Sequence, residues 1–240
     1  MKKLIFLFSI AATMAFSSCL EEKENWYSAT SAYDGRFVVS TTCDEYSSDD
    51  VPLSDGMEMW VFNSAENVAN EIWIDHFAIA GVNIKAKLNV VGEATKFNTA
   101  ESFELAANSG VTYVLVNGDP VARFPVTASV ADEIIDCVTL YTRIGVENGG
   151  IVKNGATTPG GNKSDSIYLK TTLYSDFFQY ISYETDPATW TNPSVPEYDW
   201  KIVNGSITNA AGWEEHWTIA GYRYTGFPED TGMKPPITEN

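Results

Sequence analysis

With 32 acidic side chains against 15 Lys and Arg in 240 residues, the chain has a formal net charge of −17. Such a surface speaks against nucleic acid, since nothing is left to neutralise phosphates, and against docking on anionic lipid headgroups by charge. Aromatic residues make up 13% of the chain and hydrophobic ones 44%, which excludes a disordered polymer and suits one domain with a full core.

The first segment is an export signal. Lys2 and Lys3 precede an apolar run over residues 4–16, broken only by Ser9 and Thr13. That run is shorter than the roughly 20 apolar residues of a spanning helix and has the length of a signal-peptide core. The string Ala15-Phe16-Ser17-Ser18-Cys19 resembles the lipobox of bacterial lipoproteins, with Phe16 where Leu is more usual. The resemblance implies cleavage before Cys19, a diacylglycerol on its thiol and often acylation of the new amine. The alternative is an ordinary secretory signal with a chance cysteine. Two or three acyl chains anchor stably because each buried CH₂ adds ~0.8 kcal/mol and one chain is marginal. Losing residues 1–18 removes Lys2 and Lys3 and no acid, taking the net charge from −17 to −19. Glu21, Glu22 and Glu24 then resemble the surface-export signal of lipoproteins from the Bacteroidetes group, or form a plain charged tether. The expected layout is a signal peptide over 1–18, lipidated Cys19 and a flexible tether to 34, a barrel domain over 35–228 and a loose tail over 229–240.

From residue 35 on, short runs rich in Val, Ile, Thr and aromatics alternate with Gly, Asn, Asp and Pro, the pattern of an all-β chain. Strands are expected over 35–42, 57–62 and 71–80, the last leading through Gly81 into 82–90. In that fourth strand Val82, Ile84, Ala86, Leu88 and Val90 share one face, and Asn83, Lys85, Lys87 and Asn89 the other. Strict alternation marks a strand with one buried and one wet face. Further strands are expected over 102–106, 111–116, 121–128, 134–144, 166–174, 177–183, 200–208 and 214–224. Asn117-Gly118 and Asn204-Gly205 carry the residues of tight turns. Residues 128–136 could hold one short helix, and 185–198 read as a long loop. About ten short strands without a fixed repeat point to a closed barrel or a sandwich rather than a propeller. Closure removes the sheet edges that invite aggregation. Cys43 and Cys137 could pair in an oxidising compartment, but their apolar, strand-like surroundings favour two buried thiols.

Three stretches in the second half carry a resemblance. They are Asn148-Gly149-Gly150-Ile151-Val152-Lys153-Asn154-Gly155-Ala156, read as a turn opening onto a short strand, Gly161-Asn162-Lys163-Ser164-Asp165-Ser166-Ile167-Tyr168, and Ile219-Ala220-Gly221-Tyr222-Arg223-Tyr224-Thr225-Gly226-Phe227-Pro228-Glu229-Asp230. With Met59-Trp60 and Ile72-Trp73-Ile74-Asp75 they resemble the Bacteroidetes lipoproteins of the lipid-binding putative hydrolase family. The resemblance implies a lipocalin-like antiparallel β-barrel of about 8–10 strands behind a lipoprotein signal. It carries over no catalytic residue.

A small barrel can hold one ligand in its mouth. Trp60, Trp73 and Trp217 could line such a mouth or simply fill the core. Tyr222 and Arg223 join them as candidate ligand contacts; an Arg there either stacks and caps carbonyls or grips a ligand carboxylate. Trp190 and Trp213, in or near loops, suit stacking on sugar rings. Glu214 and His216 share a strand face, so a carboxylate could orient an imidazole, and Ser164-Asp165-Ser166 offers hydroxyls. No Gly-x-Ser-x-Gly elbow accompanies them. Two distant histidines and no Cys-x-x-Cys predict neither metal nor cofactor. The expected protein is an outer-membrane lipoprotein of the cell envelope, held by the lipid on Cys19. Its barrel binds a small apolar or amphipathic ligand without catalysis. The rivals are a glycan-binding accessory lipoprotein of a polysaccharide-uptake system, a hydrolase with an unidentified site, and an envelope protein serving a protein partner.

Overall fold

The computed structural model describes residues 28–45, 56–91, 96–99, 103–105 and 111–230. The signal peptide, Cys19, the tether up to residue 27 and the tail from residue 231 lie outside the described residues. The described part holds twelve strands: β1 (Gly35–Cys43), β2 (Met57–Asn63), β3 (Glu71–Ile79), β4 (Val82–Val91), β5 (Lys96–Asn98), β6 (Phe103–Glu104), β7 (Val111–Val116), β8 (Asp119–Arg123), β9 (Ile134–Thr157), β10 (Lys163–Glu184), β11 (Tyr198–Ile207) and β12 (Glu215–Arg223).

Eight of them close a barrel. Starting from β10, the antiparallel neighbours run β12, β1, β2, β3, β4, β5 and β9, and β9 pairs back onto β10. Alternation sets the inward faces. In β4, Val82, Ile84, Ala86 and Leu88 are buried while Asn83 and Lys85 are exposed, as the sequence pattern requires. Phe37, Met59, Ile72, Ile74, Leu88, Ile144, Leu169, Leu173 and Ile219 are all 0% exposed. A side chain facing a void large enough for water would keep some accessible surface, so these residues make a solidly packed waist rather than a hollow.

The two longest strands correct the sequence reading. The sequence pattern ends the strand over 134–144 before a turn at Asn148-Gly149-Gly150 and separates 166–174 from 177–183, whereas in the structure each pair of segments is one continuous strand. The glycine there serves packing. A Cβ on Gly149 would fall 2.4 Å from Leu169 Cδ2 and 2.9 Å from the Tyr168 carbonyl oxygen. Asn204-Gly205 likewise lies inside β11, beside a register shift against β10. Asn117-Gly118 does form the β7–β8 turn, with φ of 54° and 91°. The segment 121–128 leaves the sheet after Arg123, because Pro125 has no N–H to continue the ladder. No helix forms over 128–136; β9 begins at Ile134. The loop over 185–198 contains a single 3₁₀ turn, Pro187–Thr189. Cys43 and Cys137 are both buried and not joined in a disulfide, and burial pushes the Cys137 thiol up to about 11.

Beyond the barrel β9 and β10 run on together. Their outer halves form a second sheet, flanked by β7 and β8 on one side and β11 on the other. The bend falls at a bulge: Tyr174 pairs with Arg143 and Asp176 with Thr139, leaving Tyr141 in the left-handed region at φ 57°. Bulges of this kind turn a strand and re-aim one side chain, and the Tyr141 side chain is directed back against the barrel core.

The opposite end is capped. Residues 28–34 form hydrogen-bonded turns, with Thr30 fully buried. Tyr33 sets its ring edge-on to Phe97, centroids 5.7 Å apart. Arg223 stitches this segment down: it donates to the carbonyls of Asp34 and, at 3.0 Å, of Ala32. Asp230 locks the same end from the C-terminal side. It is 0% exposed and accepts from Thr158 Oγ1 at 2.5 Å, Asn162 Nδ2 at 2.9 Å, Gly160 N at 3.0 Å and Thr225 Oγ1. Residues 28–34 and Pro228–Asp230 thus both pack against this end of the barrel.

Candidate ligand-binding site

A cavity of about 530 Å³ lies at the capped mouth, within the range of small-molecule pockets. Its apolar side is Ile151, which is 5% exposed and belongs to the core, with Tyr33 and Ala32 from the cap. Its polar side is Lys153, Asp165 and Arg223. Alternation explains the arrangement: Ile151 and Lys153 stand two apart on β9, so one continues the floor and the other reaches the rim.

The charges at this mouth do not cancel. Arg223 Nε lies 3.2 Å from Asp165 Oδ2, its Nη atoms bond the cap carbonyls, and its guanidinium sits 5.1 Å above the Phe37 ring. Arg223 therefore performs the stacking and capping role while standing in the cavity wall. Lys153 has no ion-pair or hydrogen-bond partner among the described residues, and its exposed ammonium leaves the rim one positive charge in excess.

The other candidate residues are dispersed. Trp60 lies on the outer wall, because Met59 and Val61 on either side take the interior. Its ring stacks on His76 at 4.8 Å, and Arg36 lies 5.9 Å from it and 4.9 Å from Tyr224. Trp73 is also on the outer wall, between the buried Ile72 and Ile74, with Lys85 5.9 Å from its ring. Trp217 points inward at the other end of the barrel and is 3% exposed. Tyr222 faces outward and donates its O–H to the Asp230 carbonyl at 2.5 Å. Of these five, only Arg223 stands at the capped mouth's cavity. Sequence reasoning missed Tyr33, Ile151 and Lys153 there, although the i, i+2 spacing that puts Ile151 and Lys153 on one face is visible in the sequence.

The histidine geometry bears on hydrolysis. The carboxylate that holds His216 is Glu45: His216 Nδ1 to Glu45 Oε1 is 2.5 Å, and the His216 backbone N–H donates to the same carboxylate. Glu45 also accepts from the Cys43 thiol at 3.2 Å. The bond to Glu45 raises the His216 pKa against a smaller opposing effect of burial. Burial pushes the Glu45 carboxyl up, but its bonds from His216 and Cys43 outweigh that and leave it lowered. A carboxylate that orients an imidazole and raises its pKa suits general-base chemistry as well as a purely structural role, so this pair does not decide between them.

Another opening, of about 550 Å³, lies beside the β3–β4 hairpin and is lined by Met57, Glu58, Asp75, His76, Ala78 and Asn83. A closed barrel with a packed waist and a part-apolar cavity at its capped mouth fits the ligand-binding class of small β-barrels. The sequence specifies the class further: the chain belongs to the lipid-binding putative hydrolase family, whose model matches residues 22–228. No curated protein matches the chain.

Proposed function

We propose that the protein is a cell-envelope lipoprotein whose capped barrel mouth binds a small amphipathic ligand with an anionic head, without catalysis. The observation that carries this reading is the cavity of about 530 Å³ with Ile151 and Tyr33 as its apolar wall and Lys153 as an uncompensated cation at its rim. In a chain of net charge −17, an anionic headgroup needs such a local cation to offset the general repulsion. The cavity also lies beside residues 31–33, nine positions and more after residue 22, where the family match begins. In sequence, these residues follow Cys19, where the proposed lipid anchor would sit.

Dodecanoate titrated into the full-length chain should bind saturably, and dodecanol more weakly. Lys153→Glu should weaken dodecanoate by about tenfold, since removing one attraction and adding one repulsion at a partly exposed site changes binding by roughly 1–1.5 kcal/mol. A chain that ignores dodecanoate, or a variant that binds it as tightly as the parent, would overturn the site. The anchor has its own test. Cys19→Ala should move the protein from the membrane to the soluble fraction on cell fractionation; a variant that still sediments with membranes would rule the lipid anchor out.

A further inference from the structure

The barrel's opposite end, where β9 and β10 leave it, holds a second cavity of about 340 Å³. We infer that this cavity is a separate binding site for a small organic cation, an ammonium group carried on a compact ligand. Its wall includes Leu140, Tyr141 and Trp213 together with the carboxylates of Glu214 and Glu215. None of the described residues lining it is basic.

Both carboxylates are held in place by neutral donors. Glu215 accepts from Tyr141 O–H at 2.8 Å and from Trp217 Nε1 at 3.2 Å. Glu214 accepts from the backbone N–H groups of Gly212 at 2.7 Å and Trp213 at 3.0 Å. These bonds orient the oxygens, and neither carboxylate has a Lys or Arg ion-pair partner among the described residues, although Glu214 also acts electrostatically on His216. An aromatic wall beside fixed negative charge is the environment that attracts alkylammonium ions, through the ring quadrupole and Coulomb attraction together. Ser175, 1% exposed, also lines the cavity. Its oxygen accepts from the Tyr141 N–H at 3.3 Å, and its O–H has no acceptor among the described residues. It offers a donor to an oxygen on the same ligand, which points to an amino alcohol.

The bulge makes the site. Tyr141 reaches Glu215 only because its positive φ turns it out of strand alternation, and backbone strain of this kind gathers at functional positions. The charge sign is opposite to that of the capped mouth, so the two cavities select different ligands.

Choline and its uncharged isostere 3,3-dimethylbutanol test the inference, titrated into the full-length chain and followed by tryptophan fluorescence and by heat. Choline should bind saturably, and the isostere at least about tenfold more weakly. Glu215→Gln keeps an acceptor for the Tyr141 hydroxyl and should weaken choline by about tenfold. Trp213→Leu, at a half-buried position, should weaken it similarly while leaving the fold intact. Lys153→Glu should leave choline binding unchanged, whatever it does to dodecanoate. No saturable choline signal would overturn the inference. So would equal binding of the isostere, or parent-like binding by folded Glu215→Gln and Trp213→Leu variants.

Discussion

Gly221→Ala is expected to be the most damaging single-methyl change in the barrel, lowering stability by about 3 kcal/mol or more. Gly221 sits on β12 directly opposite Val39 of β1. A Cβ there would meet the Val38 carbonyl oxygen at 2.1 Å and Val39 Cα at 2.8 Å. Both are backbone atoms, so no rotamer change can relieve the contact. Nor can β1 drift away freely, because its other edge is paired to β2 through Val38↔Glu58 and Val39↔Met57. The methyl therefore has to open a seam of a closed cylinder. Overpacking costs typically ~1–3 kcal/mol when side chains can adjust, and backbone collision belongs at or above the upper end. Urea denaturation should show the midpoint falling at unchanged slope. Gly118→Ala is the matched control. Gly118 has φ 91° and no atom within 4 Å of its would-be Cβ, so it should lose only about 1–2 kcal/mol from backbone strain. If the two variants were equally stable, close strand approach would not be the reason for Gly221.

The second large effect is expected at Asp230. Asp230→Ala removes the common acceptor of Thr158, Gly160, Asn162 and Thr225. Their donors then remain in a site from which water is shut out, since Asp230 itself has no accessible surface. Stranding buried donors costs more than the bonds add in the first place. The lost contacts tie the β9–β10 turn to the segment after β12, so thermal denaturation should begin earlier, with a midpoint lower by on the order of 10 °C. Burial alone would raise the carboxyl, but the donors from Thr158, Thr225, Asn162 and Gly160 overcome it and hold it at about 2. Its ordinary value is 3.8. The depressed folded value means the unfolded chain binds the proton first as pH falls. The stabilisation is therefore complete above about pH 4 and disappears as pH drops through about 2. The parent should lose stability over that interval relative to Asp230→Asn, which has no carboxyl to titrate. Parallel stability curves for the two proteins between pH 5 and 2 would show that the carboxylate's charge is not what closes this end.

Local pattern made the strands readable. The β4 alternation reflects one packed and one wet face, a physical contrast that appears directly in residue type. The same logic fell short wherever both faces are apolar. Met59-Trp60-Val61 and Ile72-Trp73-Ile74 alternate, yet residue type alone does not say which phase faces inward. The outer tryptophans contact charged and aromatic neighbours from other strands, Arg36, His76 and Lys85, rather than the core. Asn148-Gly149-Gly150 reads as a turn because glycine is the usual turn residue, whereas here it admits the Leu169 side chain. The Tyr141 bulge had no local signal, since its cause is the mismatch in residue count between β9 and β10.

The amino-acid order by itself determined an all-β chain with an alternating core, an N-terminal lipobox-like segment and the stretches that resemble its family. Tertiary structure alone decided the closure of the eight strands and the make-up of the two cavities. One cavity joins Tyr33 to Ile151 and Arg223; the other joins Leu140 to Trp213 and Glu215. Those residues meet because β9 and β10 pair along most of their length and β12 bridges β10 to β1. Side-chain periodicity records which face of its own strand a residue occupies. Which distant strand lies beside it is settled only when backbone hydrogen bonds and core volume are satisfied around the whole cylinder at once.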